Sequence, residues 1–365
     1  MYPSRGRRLG IWKVSLALIA LLLMSEVDSR AQQNLDRSTL QTPRVFSFTP
    51  PPIANIPVAP QIDPALMIRI PVTVVDGAGR CVPSLSARDF SLSVDGEESP
   101  ITLFRPNRAT AAALGVLVDV SQSMGFRSFF GGSYSKLPFI REAIRDVVDK
   151  LDAHDNVFLA AFARRFHMID DFTSDHQMLD ERLAELRVTD QLDDLGGSGI
   201  YEGLMKGITV LNHAPQVCDR RALLVFTDGG DTGSHGADDV IARAQFAGVT
   251  VYNVIVQGYS HEMDAASIRE GIGRIATETG GRTFIVNGKD ESEPIGSATE
   301  EVVSELDNQY LLGFSTPQWS TNVLPVELVV QHHPGMKVRA PRAVRFRPED
   351  LVRRVSAPAP GILPE

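Results

Sequence analysis

From Ala111 to Val118 every position is apolar or glycine, Ala-Ala-Ala-Leu-Gly-Val-Leu-Val. With no polar residue alternating, this run predicts a strand covered on both faces, as in a parallel sheet flanked by helices. Polarity then returns at once: Asp119-Val120-Ser121-Gln122-Ser123 packs a carboxylate and two hydroxyls into one short turn. A second run, Arg221-Ala222-Leu223-Leu224-Val225-Phe226-Thr227, repeats the design and ends in Asp228-Gly229-Gly230. Around these strands the period changes to that of helices. Leu137, Ile140, Ile144, Val147, Val148 and Leu151 form one helical stripe, and Leu179, Leu183 and Leu186 a second. Ile200, Leu204, Ile208 and Leu211 form a third, Ala237 to Ala247 reads as a fourth, and Ile268, Ile272 and Ile275 mark another ending at Gly280-Gly281. Asn156 to Ala163, Val249 to Val256 and Thr283 to Val286 read as strands between them, and a last helix runs through Leu306. Strands alternating with helices predict a doubly wound, mostly parallel α/β sheet.

The flanks have a different pattern. Leu66 to Val75 and Asp89 to Val94 alternate apolar with polar positions and meet turns at Asp76-Gly77-Ala78-Gly79 and Asp95-Gly96, and Ile101 to Phe104 is a third strand. Three such strands rarely stand alone. Pro325 to Val330 and Lys337 to Ala340, near the other end, supply the missing ones. The two flanks are therefore expected to pair into one small β-sandwich with the α/β body inserted between them. The expected layout is a signal segment at 1–31, a Pro-rich linker at 32–63, β-rich segments at 64–108 and 317–348 around an α/β body at 109–316, and a tail at 349–365.

Composition adds destination more than chemistry. Arg5, Arg7, Arg8 and Lys13 precede the apolar stretch Val14 to Met24, and Ser29-Arg30-Ala31 offers small residues where a signal peptidase reads. Export with cleavage before Gln32 is expected, to periplasm, cell envelope or exterior; the alternative is an uncleaved anchor, for which the stretch is short. A net charge of -9 and a pI near 5.4 give no basic footprint for nucleic acid. Cys81 and Cys218 are the only cysteines, in an exported chain either a disulfide or two separate thiols. No Cys/His spacing supports a zinc site.

The candidate chemistry lies at the strand ends, where open parallel sheets bind ligands. Gly196-Gly197-Ser198-Gly199-Ile200-Tyr201-Glu202-Gly203 adds a hydroxyl just before a helix. Asp119, Ser121, Ser123, Ser198 and Asp228 together make an all-oxygen donor set suited to a small hard cation, Mg²⁺ above all, with Mn²⁺ or Ca²⁺ as alternatives. Ser and Asp also favour helix caps, but capping leaves the coincidence with Ser198 and Asp228 unexplained. A haloacid-dehalogenase-like nucleophile would need an Asp where Ser121 stands, and a Gly-x-Ser-x-Gly hydrolase would need Gly where Ile200 stands. Gly125-Phe126-Arg127-Ser128-Phe129-Phe130-Gly131-Gly132-Ser133-Tyr134, directly after the first motif, is either an aromatic interaction loop or a loop folded onto its own domain.

From about Ala111 to Phe314 the chain resembles the von Willebrand factor type A domain with its metal-ion-dependent adhesion site, Asp-x-Ser-x-Ser, then Thr, then Asp. Ser198 departs from the pattern, keeping the hydroxyl of Thr without its methyl. With Val74-Val75-Asp76 to Phe90, Asp95-Gly96 and Gln309 to Phe314, it resembles the exported bacterial VWFA-related proteins over roughly 66–347. The resemblance implies a non-enzymatic module that binds a protein partner through the cation, the partner offering an Asp or Glu. A cell-envelope structural protein whose ion is only stabilising is the alternative, and a metal-dependent hydrolase stands third.

Overall fold

The structure, a computed structural model, describes residues 67–106, 111–127, 133–188, 199–215, 218–229, 236–257, 269–286, 292–315 and 322–345. The signal segment, linker and tail expected at 1–31, 32–63 and 349–365 lie outside those residues. Among the described residues no helix is long and apolar enough to cross a membrane.

The chain opens with β1 (Met67–Val75), β2 (Phe90–Val94), β3 (Glu97–Glu98) and β4 (Ile101–Arg105), then enters the α/β body. There β5 (Ala111–Asp119) is followed by a hairpin, β6 (Gly125–Arg127) and β7 (Ser133–Ser135), and by helix α1 (Leu137–Lys150). Next come β8 (Asn156–Phe162), β9 (Phe166–Thr173), α2 (His176–Leu183), α3 (Ile200–Leu211) and β10 (Cys218–Thr227). Then follow α4 (Ala237–Ala247), β11 (Val249–Val256), a π-turn leading into α5 (Arg274–Glu278), β12 (Thr283–Val286) and α6 (Ser292–Asp307). The chain returns through β13 (Tyr310–Ser315), β14 (Val323–Val330), β15 (Lys337–Arg339) and β16 (Ala343–Arg345).

The central sheet has the order β12-β11-β10-β5-β8-β9, parallel throughout except for β9, which runs antiparallel to β8. Strand β5 alternates as a doubly covered strand must. Leu114, Val116 and Val118 face a core shared with α1 and α6, while Ala113 and Leu117 face one shared with α3 and α4. The stripe read from Leu137 to Val148 is buried, and Pro138 sits in the first turn of α1, where its missing N–H is no loss. Helix α4 ends at Gly248, held at φ 63, the left-handed cap that glycine takes without strain.

The flanking strands pair as the matched deficits implied. β1 runs antiparallel to β13 and β14 antiparallel to β2, giving sheets β15-β1-β13-β4 and β16-β14-β2-β3. Their inner faces share one core, with Ile68, Ile70 and Val72 of β1, Phe90 and Leu92 of β2, Tyr310 and Leu312 of β13, and Leu324 of β14. Strand β13, which the expected boundary at 316 grouped with the α/β body, hydrogen-bonds to β1 and β4 of the sandwich. Asp219 at the start of β10 ties the two together, accepting from Arg69 at 3.0 Å and Arg105 at 3.1 Å.

Three points differ from the expectation or decide what it left open. Strand β9 was not expected: its sequence has no clean alternation, and it is a half-buried edge strand. The second helix stops at Leu183; Leu186 is buried, but in the turn beyond it. Cys81 and Cys218 are both free thiols, so no disulfide joins the sandwich to the sheet. Cys81 lies beside Ser304, Glu305 and Arg339, and Cys218 beside Asp155 and Asn156.

Candidate metal centre

After β5 the chain passes α1 to reach β8 on one side, then returns through α3 to β10 on the other. The crevice outside the ends of β5 and β10 is thus the point where the strand order reverses, the usual ligand position in such sheets. Val118 is level with Phe226 across the parallel pair, so Asp119 and Thr227 end their strands side by side, with Asp228 one residue further.

Asp119 has no exposed surface. Its Oδ1 accepts the backbone N–H of Ser121 at 2.9 Å, and its Oδ2 accepts the Thr227 hydroxyl at 2.8 Å. The Ser121 bond is an Asx turn that folds the chain back over the strand end. A single 3₁₀ turn follows, Gln122–Met124, pinned by the wholly buried Met124. It brings the Ser121 and Ser123 hydroxyls to 3.0 Å from each other, with Ser121 buried and Ser123 exposed. Three of the expected residues therefore stand on one turn, and Asp228 ends the neighbouring strand.

Electrostatics explain what this pair of strand ends demands. Burial, and next the negative charge of Asp228, push the Asp119 carboxyl up to about 6, while the bonds from Ser121 and Thr227 pull it down. Two carboxylates turned toward one dry place call for a positive charge. The structure supplies one from the chain itself: Lys136, just ahead of α1, puts Nζ 3.7 Å from Asp228 Oδ2, with side chains only 5% and 11% exposed. An all-oxygen donor set that attracts a buried cation fits a hard divalent ion.

Ser198 lies outside the described residues. Its neighbour Gly199 is the N-cap of α3 and donates its N–H to the Ala163 carbonyl at 2.7 Å, which fixes the start of α3 at the end of β8. Residues 128–132 of the aromatic loop are likewise outside the described residues; its two ends pair as the β6–β7 hairpin. Among the described residues no three His, Cys, Asp or Glu side chains gather into a further metal cluster. Sequence reasoning missed Thr227 and Lys136. Thr227 was legible as the last residue of its strand, level with Asp119. Lys136 carried one signal, a cation at a helix start, where an acidic or hydroxyl cap belongs.

Residues 114–230 match the family model described as von Willebrand factor type A domain, and the α/β body has that fold, a mostly parallel six-stranded sheet between helices. An uncharacterized protein of Borreliella burgdorferi is 27% identical over 197 residues, 49% of this chain. The match spans 55% of that relative's length. Among solved structures, the conserved hypothetical protein BatB from Bacteroides thetaiotaomicron is 21% identical with a TM-score of 0.40, covering 53% of this chain and 97% of its own. A von Willebrand factor type A protein from Catenulispora acidiphila is 12% identical with a TM-score of 0.44, covering 77% of this chain and 74% of its own.

Proposed function

We propose that this chain is an exported binding module that engages a protein partner through a divalent cation, Mg²⁺ in the first place, held by Asp119, Ser121, Ser123, Ser198 and Asp228. One observation carries the reading: Asp119, fully buried, and Asp228 end adjacent parallel strands at the switch point, where their mutual repulsion asks for a cation. The type A domain supports a binding role, since such domains are in general interaction modules. A bound ion would neutralise the carboxylates and present a coordination position at the surface beside the exposed Ser123. A partner's Asp or Glu is the natural group to fill it. Asp119 and Asp228 carry the charge of the site, Ser121 shapes the turn, and Ser123 and Ser198 contribute neutral oxygens.

The test is calorimetric titration of the native chain with Mg²⁺, Mn²⁺ and Ca²⁺, repeated on Asp119→Ala, Ser198→Ala and Ser198→Thr with circular dichroism to confirm folding. Asp119→Ala should fold and lose ion binding. Ser198→Ala should bind more weakly than the native chain, and Ser198→Thr at least as well. A folded Asp119→Ala that binds the ion as tightly as the native chain sinks the site. Partner capture from the exported fraction that vanishes with chelator separates binding from a purely stabilising ion.

A further inference from the structure

We infer that Lys136 is a tethered cation that holds Asp228 until a divalent ion displaces it, coupling ion binding to the β6–β7 hairpin. The inference rests on the ion site proposed above and adds a competitor to it.

Three observations meet at this lysine. First, it is buried, with 4% of its surface exposed, a rare state for a lysine and one that requires a partner for its charge. Among the described residues the ion pair it makes is with Asp228, at 3.7 Å. Second, it occupies the N-cap of α1, where it makes no side-chain cap and where positive charge opposes the helix dipole. By contrast, Asp175 caps α2 by accepting from Met178 at 3.1 Å, and the starts of α3, α4 and α5 carry glycine, not a cation. A local rule broken beside a site points to the site as the reason. Third, Lys136 is wired to the motif turn. Its N–H donates to the Met124 carbonyl at 3.0 Å, closing the hairpin from Gly125 to Ser135 onto the Asp119–Met124 segment.

These facts dictate a competition. An ammonium and a divalent cation both seek the carboxylate oxygen of Asp228, and inside a buried site their repulsion is poorly screened. Each therefore weakens the other's hold on it. Among the described residues the carboxylate facing the ammonium is Asp228, whose charge in turn acts on Asp119, so the lysine spends its charge where the ion would. When the ion enters, the ammonium must withdraw toward solvent. Lys136 joins β7 to α1, so its withdrawal pulls on the hairpin at the link to Met124. The β6–β7 hairpin thus reads the state of the ion site, and a partner that holds the hairpin biases the site in return.

The experiment uses the full chain and Mg²⁺ or Mn²⁺ alone as probe. Lys136→Gln should tighten ion binding by roughly tenfold or more, while Lys136→Arg, which keeps the charge, should not. In chelator Lys136→Gln should melt below the native chain and regain the difference with Mg²⁺. The native chain supplies a readout free of any folding defect. Treated with an amine-acylating reagent and digested, its Lys136 peptide should be protected in chelator and labelled in Mg²⁺. Native binding without tightening in Lys136→Gln, or labelling of Lys136 that ignores Mg²⁺, overturns the competition and leaves the ion site standing. No binding by either the native chain or folded Lys136→Gln overturns the ion site, and the competition with it.

Discussion

Helix α3 begins at the site, and its fit to the sheet can be tested with two substitutions of identical chemistry. Gly203 and Gly207 lie one turn apart on the buried face of α3. An alanine in a helix interior is worth about 1 kcal/mol over glycine, so both replacements start from the same gain. What the new methyl meets differs. At Gly203 it would stand 2.9 Å from Cγ, 3.2 Å from Cδ2 and 3.3 Å from Cβ of Phe162. Those atoms are the root of a fully buried ring on β8, and they cannot yield without moving the strand. At Gly207 it would meet the two Cδ methyls of Leu223 at 3.1 and 3.2 Å, the far ends of a side chain that can turn by a few tenths of an ångström. Overpacking a rigid core costs about 1–3 kcal/mol.

Gly203→Ala should therefore end about 1 kcal/mol less stable than the native chain. Gly207→Ala should lie between neutral and about 1 kcal/mol more stable. Urea unfolding followed by circular dichroism, with a shared slope, measures both. The displacement at Gly203 also loosens the bond from Gly199 to Ala163, so on the proposed reading Mg²⁺ affinity falls in this variant alone. Gly203→Ala as stable as the native chain, or more stable than Gly207→Ala, refutes the close approach of α3 to β8.

Two more predictions come from groups away from the site. Burial pushes the Glu305 carboxyl above its ordinary value of 4.5, outweighing Arg339 and Arg282 beside it. Its folded form therefore favours the proton: that contribution to stability is full below 4.5 and is lost as pH rises through the raised value. Thermal melting across pH should find Glu305→Gln no less stable than the native chain at pH ~7 and level with it near pH ~4; a large loss confined to neutral pH would show that the two arginines win. Cys81 and Cys218 should both react in a thiol assay on unfolded, unreduced protein, and a count of zero would contradict the free thiols.

How much was legible in the sequence depended on whether the physics was local. The strand β11 and helix α4 match the expected Val249–Val256 and Ala237–Ala247 because periodicity, Gly248 and the burial pattern all agree there. The sandwich was legible for a different reason: three strands before the α/β body had too few partners, and the strands after it could supply them. Strand β9 escaped because Phe166-His167-Met168-Ile169-Asp170-Asp171 shows no clear period of two. Among the described residues it is an edge strand that pairs with β8 alone, through two irregularities in register. At the site, Asp119, Ser121, Ser123 and Asp228 were readable as polar residues closing apolar strands. Lys136 was not, because a lysine beside a helix is by default a solvated one, and only the fold brings Asp228 to it.

That lysine also changes how the burial of the carboxylates is understood. An ionised carboxylate sealed from water without partners costs several kcal/mol, and a second one nearby adds to it. The bonds from Ser121 and Thr227 offset part of this for Asp119, yet its carboxyl still stands at about 6, so they do not offset all of it. A site that depended wholly on a captured ion would be unstable while the chain folds and waits for one. An ammonium held against Asp228 offsets the charge during that interval and, on the inference drawn above, does so at the expense of affinity for the ion proposed to replace it. Weakened binding is then a consequence of making the site foldable. A module whose ion is easily displaced can also be one whose ion responds to a partner.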